Sequence, residues 1–349
     1  MSREQMIPTI LDTSFNRLAI VDDFISFIWT TRYYTCGDFE LCADIARADI
    51  LTIGNYVQRQ NDNHVGIIEA VKYQMTEEYQ EMIIVSGRLL PSILARRVIS
   101  SQTQVSGRVA ECIRALINEN AISPAVNARQ ISGLTFASHV TTTETMDAQY
   151  TGENLLSTVS SICETYGIGF DCTLGNNNSF DFALYEGVDR SYNQSANPYV
   201  IFSDKYDNLL SSEYNEDYNN YVTDVLVGGE GEGVNRTMIW AAKDTKSGLN
   251  RYESFLDAQN AVTNDNIITQ QTYEKQLEGL GLEQVTEYTT AFSGEVDFTG
   301  VELGKDIDVG DICTIENERW KMFINSRLVE AIESIGESGT YSAVPTFGT

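Results

Sequence analysis

The chain contains only two histidines, His64 and His139, and neither has a second histidine at metal-binding spacing. With so little histidine, a His-based zinc site or a catalytic triad is not expected. His64 lies in strand-like sequence and reads as a structural or interface residue. The 50 Asp and Glu residues are too many for any two to stand out as the acid and base of a glycosidase. The run Gly228 to Gly233 resembles a phosphate-cradling loop, but Glu230 and Glu232 would repel phosphate and Val234-Asn235-Arg236 does not open a helix. It reads as a flexible strand-to-strand loop. Asn61 to Gly66 places a glycine where a calcium loop wants one, yet Asn61 replaces the first Asp and Lys72 the bidentate Glu. The tract from Asp204 to Asn220 could hold a cation and reads more simply as a solvated loop. There is no Gly-x-Ser-x-Gly elbow and no Walker loop. The expectation is a protein with no catalytic, cofactor or metal residues, whose function lies in its architecture.

The elements divide into three groups. Tyr33 to Pro91 holds short β-branched and aromatic segments bounded by turn-formers: Tyr34 to Cys42, His64 to Val71 and Met82 to Arg88. Phe39 and Leu41 alternate with Asp38 and Glu40, the period of a half-buried strand. Ahead of them, Leu18 and Ile20 share a face, and Ile25, Phe27 and Trp29 continue the period after an Asp22-Asp23 turn, which predicts a hairpin. Leu89 to Ile99 fits a short helix or a strand. From about residue 100, Val109, Cys112, Ile113, Leu116 and Ile117 form one helical face, with Ser106 as a plausible N-cap. A second helix spans Thr151 to Tyr166 before Gly167, and strands follow at Gly169 to Leu174 and Phe180 to Tyr185. After Asn197-Pro198, strands return at Tyr199 to Phe202, Tyr221 to Val227 and Met238 to Ala242. A helix at about Thr272 to Leu280 closes on Gly281, with Tyr273, Leu277 and Leu280 inward. Further strands are expected at Thr286 to Phe292, Glu295 to Phe298, Asp311 to Glu316, Trp320 to Ile324, Arg327 to Ile332 and Gly339 to Phe347.

The fold class is therefore α+β and mainly β. The expected division is a first β-barrel-like domain at 1–99, an α+β insert at 100–195, and a second β-barrel-like domain at 196–349 interrupted by a mainly helical insertion at about 245–285. With 349 residues and 42% hydrophobic content, a packed core is expected. The net charge of −27 argues against wrapping nucleic acid, because phosphate contacts need clustered Lys and Arg. It fits a solvated surface, or the wall of a channel through which a polyanion slides. The charged start, Met1 to Gln5, does not read as a signal peptide, and no apolar run approaches the ~20 residues of a membrane span. Six scattered cysteines without a CxxC pair read as reduced thiols of a cytosolic product.

The run Arg32-Tyr33-Tyr34 with Gly37-Asp38-Phe39-Glu40-Leu41, then Ile53-Gly54, Gly66-Ile67-Ile68 and Val85-Ser86-Gly87-Arg88, resembles the start of phage tail baseplate hubs. These are the siphophage and contractile-tail hubs related to the N-terminal module of tail-associated lysins, with relatives in phage-tail-like bacteriocins. Gly187-Val188-Asp189-Arg190-Ser191 resembles that family's Gly-x-Asp-Arg strand end, Phe202-Ser203 with Asn208-Leu209 the opening of its second β-unit, and Val309-Gly310-Asp311 its late x-Gly-Asp turn. Leu303-Gly304, Arg327 to Ile332 and Phe347-Gly348 fit as well. The family-motif positions are thus Gly37, Phe39, Leu41, Gly66, Gly87, Asp189, Arg190, Gly310 and Asp311, all in structural roles. The resemblance implies a homotrimeric ring of pseudo-sixfold symmetry that joins the tail tube to a central spike or fibre. The implied partners are the distal tail tube protein, the tape-measure C-terminus, and the spike or fibre protein, with DNA passing an acidic lumen without sequence-specific binding. The implied location is the virion tail or a tail-like particle such as a contractile injection system, made in the host cytoplasm. Larger members carry a peptidase or glycosidase after the hub, an activity not expected of a chain that stops at Thr349. A cell-wall hydrolase and a carbohydrate-binding adhesion module of the tail tip are the competing readings.

Overall fold

Phe27 and Trp29 alternate with Ser26 and Ile28 and are fully buried, so Ser26–Arg32 becomes a strand with one face in the core. Its antiparallel neighbour Asp38–Asp44 sets Phe39 opposite Trp29, and the two rings stack at 6.0 Å. The structure, a computed structural model, describes residues 6–75, 80–137, 140–260, 269–286, 289–293 and 301–348. His139 and the expected strand Glu295 to Phe298 lie outside the described residues.

The protein is mainly β with few helices, as expected. The main element is a ten-stranded sheet, in the order Glu213–Asp217, Thr289–Ser293, Tyr341–Gly348, Met322–Gly336, Ser26–Arg32, Asp38–Asp44, Glu81–Arg88 and Ala70–Met75. Ile312–Asn317 pairs along Met322–Gly336 and carries Ile201–Ser203 beside it. The two expected barrels are not closed. Both ends of the chain instead enter one open sheet, joined from Glu330 opposite Arg32 to Gly336 opposite Ser26. The reason is the length of Met322–Gly336, whose 15 residues reach from Ile312–Asn317 at one end to Ser26–Arg32 at the other. The sequence pattern breaks this stretch at Asn325 and Ser326. In the fold both polar side chains are satisfied, Thr314 donating to Asn325 at 2.7 Å and Ser326 to the Gly348 carbonyl at 2.9 Å, so the strand runs on.

The N-terminal hairpin also differs from expectation. Pro8–Leu11 pairs with Arg17–Ile20, and the turn is at Asp12 to Asn16, where Asp12 accepts from the Ser14 and Asn16 amides at 2.8 and 2.9 Å. Leu18 and Ile20 do share a face, but that face is exposed. Leu90–Arg96 resolves the undecided segment as a 3₁₀ helix.

In the insert, α1 (Val109–Ile117) buries Val109, Cys112, Ile113, Leu116 and Ile117 as its periodicity predicts. It starts after Arg108 without a side-chain cap, because Ser106 belongs to the strand Thr103–Arg108 paired with Thr145–Tyr150. Helix α2 (Leu155–Tyr166) is capped by Asn154, which accepts from the Leu156 and Ser157 amides, and closes on Gly167 at φ 68°. The strands Gly169–Leu174 and Phe180–Tyr185 pair as expected. One continuous core joins this insert to the first β-unit, running from Phe27 and Trp29 to Ile113 and Phe170. A second core, around Phe202, Ile315, Leu328 and Phe347, fills the C-terminal β-unit.

A third, smaller core belongs to a lobe at residues 222–286. Here Asp224–Gly228 lies between Met238–Ala242 and Glu253–Asp257, and helix α3 (Gln270–Gln284) covers one face through Tyr273 and Leu277. The helix does not stop at Gly281. A Cβ there would lie 2.6 Å from Val227, so this glycine permits close helix–sheet packing rather than ending the helix.

Candidate functional site

Tyr33 follows directly on Ser26–Arg32 and is fully buried where the first β-unit, the insert and the second β-unit meet. Its amide donates to the Val329 carbonyl at 2.9 Å, and its carbonyl accepts from the Phe170 amide at 3.3 Å. The phenol oxygen accepts from the Gly187 amide at 3.3 Å and lies 3.2 Å from the Gly167 carbonyl, to which it donates. The Arg327 guanidinium sits 4.9 Å from the ring centre and reaches the same oxygen at 3.4 Å. Tyr185 meets the ring edge-on at 5.3 Å. Burial raises the phenol's pKa above its ordinary value, so it stays a protonated donor. Gly310 has φ 104°, and a Cβ there would come within 2.5 Å of the Tyr33 ring, so glycine answers both the backbone and the space.

The structure brings Asp189, Arg190, Gly310 and Asp311 together beside this ring. Asp311 is buried, and its carboxylate accepts from Arg190 Nε at 2.7 Å, the Val188 amide at 2.7 Å and the Asp308 amide at 3.1 Å. Asp189 shapes the turn by accepting from the Ser191 amide at 2.8 Å. The Gly310 carbonyl accepts from Arg327 Nη1 at 2.5 Å, and a side chain at Gly187 would overlap that carbonyl. These residues lock the end of the insert to the second β-unit.

Gly37, Phe39, Leu41, Gly66 and Gly87 form a separate group. A Cβ at Gly66 would strike the Phe39 ring, one at Gly87 the Ile67 carbonyl, and one at Gly37 the Thr30 carbonyl. The glycines let Val65–Ile67 cross tightly over the large sheet, with Phe39 and Leu41 buried beneath it.

Between the groups lies a cavity of about 460 Å³ bordered by Arg59, Asp62, His64, Asp171, Asp308 and Glu333, among others. His64 Nδ1 is 2.5 Å from Asp62 Oδ1, and Nε2 is 2.6 Å from Asp171 Oδ2. Burial alone would depress the imidazole, but the facing Asp171 and Asp62 carboxylates raise it well above its usual value. Asp62 is held well below the carboxylate range despite its burial, by His64 and by Arg59. Arg59 also pairs with the buried Glu333, which accepts from Tyr341 Oη at 3.0 Å, and lies 5.0 Å over the Trp29 ring. Burial raises Asp308 at the cavity edge.

An imidazolium whose two nitrogens both donate has no lone pair for base catalysis or metal binding. His64 is therefore a clasp between the first β-unit and the insert, in keeping with its reading as a structural or interface residue. The calcium-loop resemblance dissolves, because Asp62 is engaged by His64 and Arg59. Nearby Cys36 is pushed up to about 12 by burial, so its thiol is not a nucleophile. Among the described residues no group of His, Cys, Asp and Glu has metal-binding geometry, and no helix is long and apolar enough to cross a membrane. The Gly228 to Gly233 run is a loop whose carbonyls accept from Arg236. Sequence reasoning missed Tyr33, Arg59, Asp171 and Arg327 as a set. The only local hints are the Tyr33-Tyr34 pair and the Arg59–Asp62 spacing.

A family model described as Siphovirus ReqiPepy6 Gp37-like protein matches residues 7–349. No curated protein sequence matches the chain. Several solved structures are similar in fold. The prophage tail protein gp18 from Listeria monocytogenes EGD-e is 12% identical over 98% of this chain and 94% of its own, with a TM-score of 0.57. A tail protein from Neisseria meningitidis MC58 is 13% identical over 98% and 96%, with a TM-score of 0.57. The 43 kDa tail protein of prophage MuSo2 from Shewanella oneidensis is 12% identical over 98% of both chains, with a TM-score of 0.58.

Proposed function

We propose, because this chain belongs to the family of Siphovirus ReqiPepy6 Gp37-like proteins and is a structural protein of a phage tail, that it is the baseplate hub. Three copies form a ring that continues the tail tube and receives the spike or fibre. The observation that carries this reading is the open ten-stranded sheet. Among the described residues, its edge strand Ala70–Met75 pairs only with Glu81–Arg88, and its edge strand Glu213–Asp217 only with Thr289–Ser293. Free edges of such a broad sheet call for a neighbour, and a closed ring of copies supplies one at each edge.

On the solvent face of the sheet one cross-strand row runs Ser86, Glu40, Ile28, Ser334 and Ser342, and the flanking rows carry Arg88 opposite Asp38 and Lys72 opposite Ile84. The support for an acidic lumen that does not hold DNA is the net charge of −27. The fastened junction at Tyr33 and the His64 clasp, with both ring nitrogens on carboxylates, fit a structural role. Light scattering followed by electron microscopy tests the proposal. A species of three times 38.9 kDa with a central channel is expected, whereas a monomer at all concentrations that also fails to join purified tail tubes would overturn it.

One observation favours a second reading, glycan attachment at the tail tip. On the outer face of the lobe's small sheet, Trp240 and Phe255 are 46% and 53% exposed on either side of Leu226. The Arg251 and Arg236 guanidiniums lie over them at 4.5 and 5.6 Å. Saturable binding of host cell-wall polysaccharide that is lost in Trp240→Ala would support it.

A further inference from the structure

The lobe at 222–286 is attached to the large sheet by a narrow neck. Glu213–Asp217 and Thr289–Ser293 pair antiparallel, and nearer the lobe Val222 and Thr286 form a separate bridge, exchanging both backbone hydrogen bonds at 3.1 Å. Beyond this bridge the lobe has its own core.

Helix α3 shows two different stripes. Tyr273, Leu277 and Gly281 are spaced i, i+4, i+8 and pack on the lobe's own sheet. Gln276, Gly279 and Glu283 form the other stripe, turned towards the insert strand Thr145–Tyr150. Gly279 lies so close to the Asp147 carbonyl that a Cβ would overlap it. Tyr150 donates its phenol proton to Glu283. Gln276 is fully buried with neither side-chain polar atom hydrogen-bonded, and Asp147 Oδ1 is likewise buried without a partner. One side of the helix is thus an apolar core contact, and the other is a polar, incompletely satisfied contact around a carboxyl group. Unsatisfied buried polar groups make that second contact the weaker one.

We propose that the lobe is a hinged arm latched onto the insert through Glu283 and Tyr150, and that deprotonation of Glu283 releases it. The groups facing Glu283 are Tyr150 on the insert strand, Glu153 ahead of α2 and Tyr166 on α2, with Cys112 on α1 beside the two tyrosines and Asp147 beside Cys112, and none of them carries a positive charge. Burial, with a smaller push from Glu153, moves Glu283 up to about 7, and the Tyr150 hydroxyl only partly opposes this. With the arm swung out, the carboxyl returns towards its ordinary value of 4.5. The latched form therefore holds more protons between these values. The proton-linked part of latching is fully present below pH 4.5 and is lost as pH rises through about 7, the opening constant increasing towards a limit on the order of 300-fold above that pH.

All six native cysteines are buried, so introduced exposed cysteines can be labelled selectively. Spin labels at Ser157→Cys on α2 and Leu249→Cys on the lobe report the arm's position in the full chain. A single short distance is expected near pH 5, with a longer component growing as pH rises to 7.5. In Glu283→Gln the short distance should persist throughout. Gly279→Ala, which improves helix propensity but collides with Asp147, should give the long distance at every pH. An unchanged distance in the wild type, or the same pH response in Glu283→Gln, would overturn the proposal. So would a short distance at all pH values in Gly279→Ala.

Discussion

Replacing Tyr33 by phenylalanine removes a single oxygen from the point where three parts of the chain meet. The Gly187 amide then loses its acceptor in a buried setting, which costs about 1–3 kcal/mol. Arg327 keeps the Gly310 carbonyl and its place over the ring, so it adds little to the loss. The expected destabilisation is about 2 kcal/mol. Replacing Tyr33 by alanine also empties the ring's site, for about 3–5 kcal/mol more. The sum approaches the whole stability of an ordinary domain, about 5–15 kcal/mol. It also removes a ring of the second core that packs against Tyr185 of the insert, while the backbone bonds of residue 33 to Val329 and Phe170 remain. The three tryptophans allow the consequence to be read separately. Trp29 lies in the first core and Trp320 in the C-terminal β-unit. Urea unfolding of variants retaining only one of them should give coincident transitions with Tyr33 present, and an earlier, separate Trp320 transition with Tyr33→Ala. The reasoning fails if Tyr33→Phe lies within about 0.5 kcal/mol of wild type, or if the alanine variant still unfolds as one unit.

Further outcomes follow from the same geometry. The raised pKa of His64 stabilises the fold fully below its ordinary value of 6.5, and this stabilisation is lost as pH rises through the higher folded value. Calorimetric melting from about pH 6 to about pH 9 should show the decline setting in at lower pH in Asp171→Asn, and superimposable profiles would remove the clasp. Gly87→Ala drives a methyl group into the Ile67 carbonyl; a loss of about 1–3 kcal/mol or more is expected in chemical denaturation, and a neutral result would show that the crossing strand can shift. No cysteine should react with a charged thiol reagent in the native protein and all six should react after unfolding, because every one is buried and Cys36 is raised to about 12. Rapid native labelling would contradict the packing.

Some elements were legible because their chemistry is local. Gly169–Leu174 and Phe180–Tyr185 begin and end where alternation and the intervening Gly-Asn turn place them. The buried face of α1 is the face its periodicity predicts. Glu213–Asp217 and Glu253–Asp257 were not legible, since both are polar and largely exposed, and their strand character comes from pairing rather than composition. Gly281 misled because a glycine that permits close packing looks like one that ends a helix. The motif glycines and the Asp189-Arg190 and Gly310-Asp311 pairs were visible one at a time. Their assembly was not, because Tyr33 and Arg327 are 294 residues apart in the chain. His64 could be read as structural, but its two carboxylate partners come from different units.

The pairing of Ser26–Arg32 with Met322–Gly336 has a consequence for synthesis. A ribosome releases Ser26–Arg32 near the beginning and its sheet partner near the end, with Arg32 and Glu330 separated by 298 residues. Until the last segment emerges, that strand has a vacant flank next to the exposed partner of a growing polypeptide. Long-range closure of this kind is slow and leaves nascent chains prone to wrong pairing. Truncation shortly before Met322 should therefore yield a product that collects in inclusion bodies even though the insert and all of the buried first core but Ile335 have been made. Slowing translation over the final segments would harm the yield of full-length protein more than slowing it at the start.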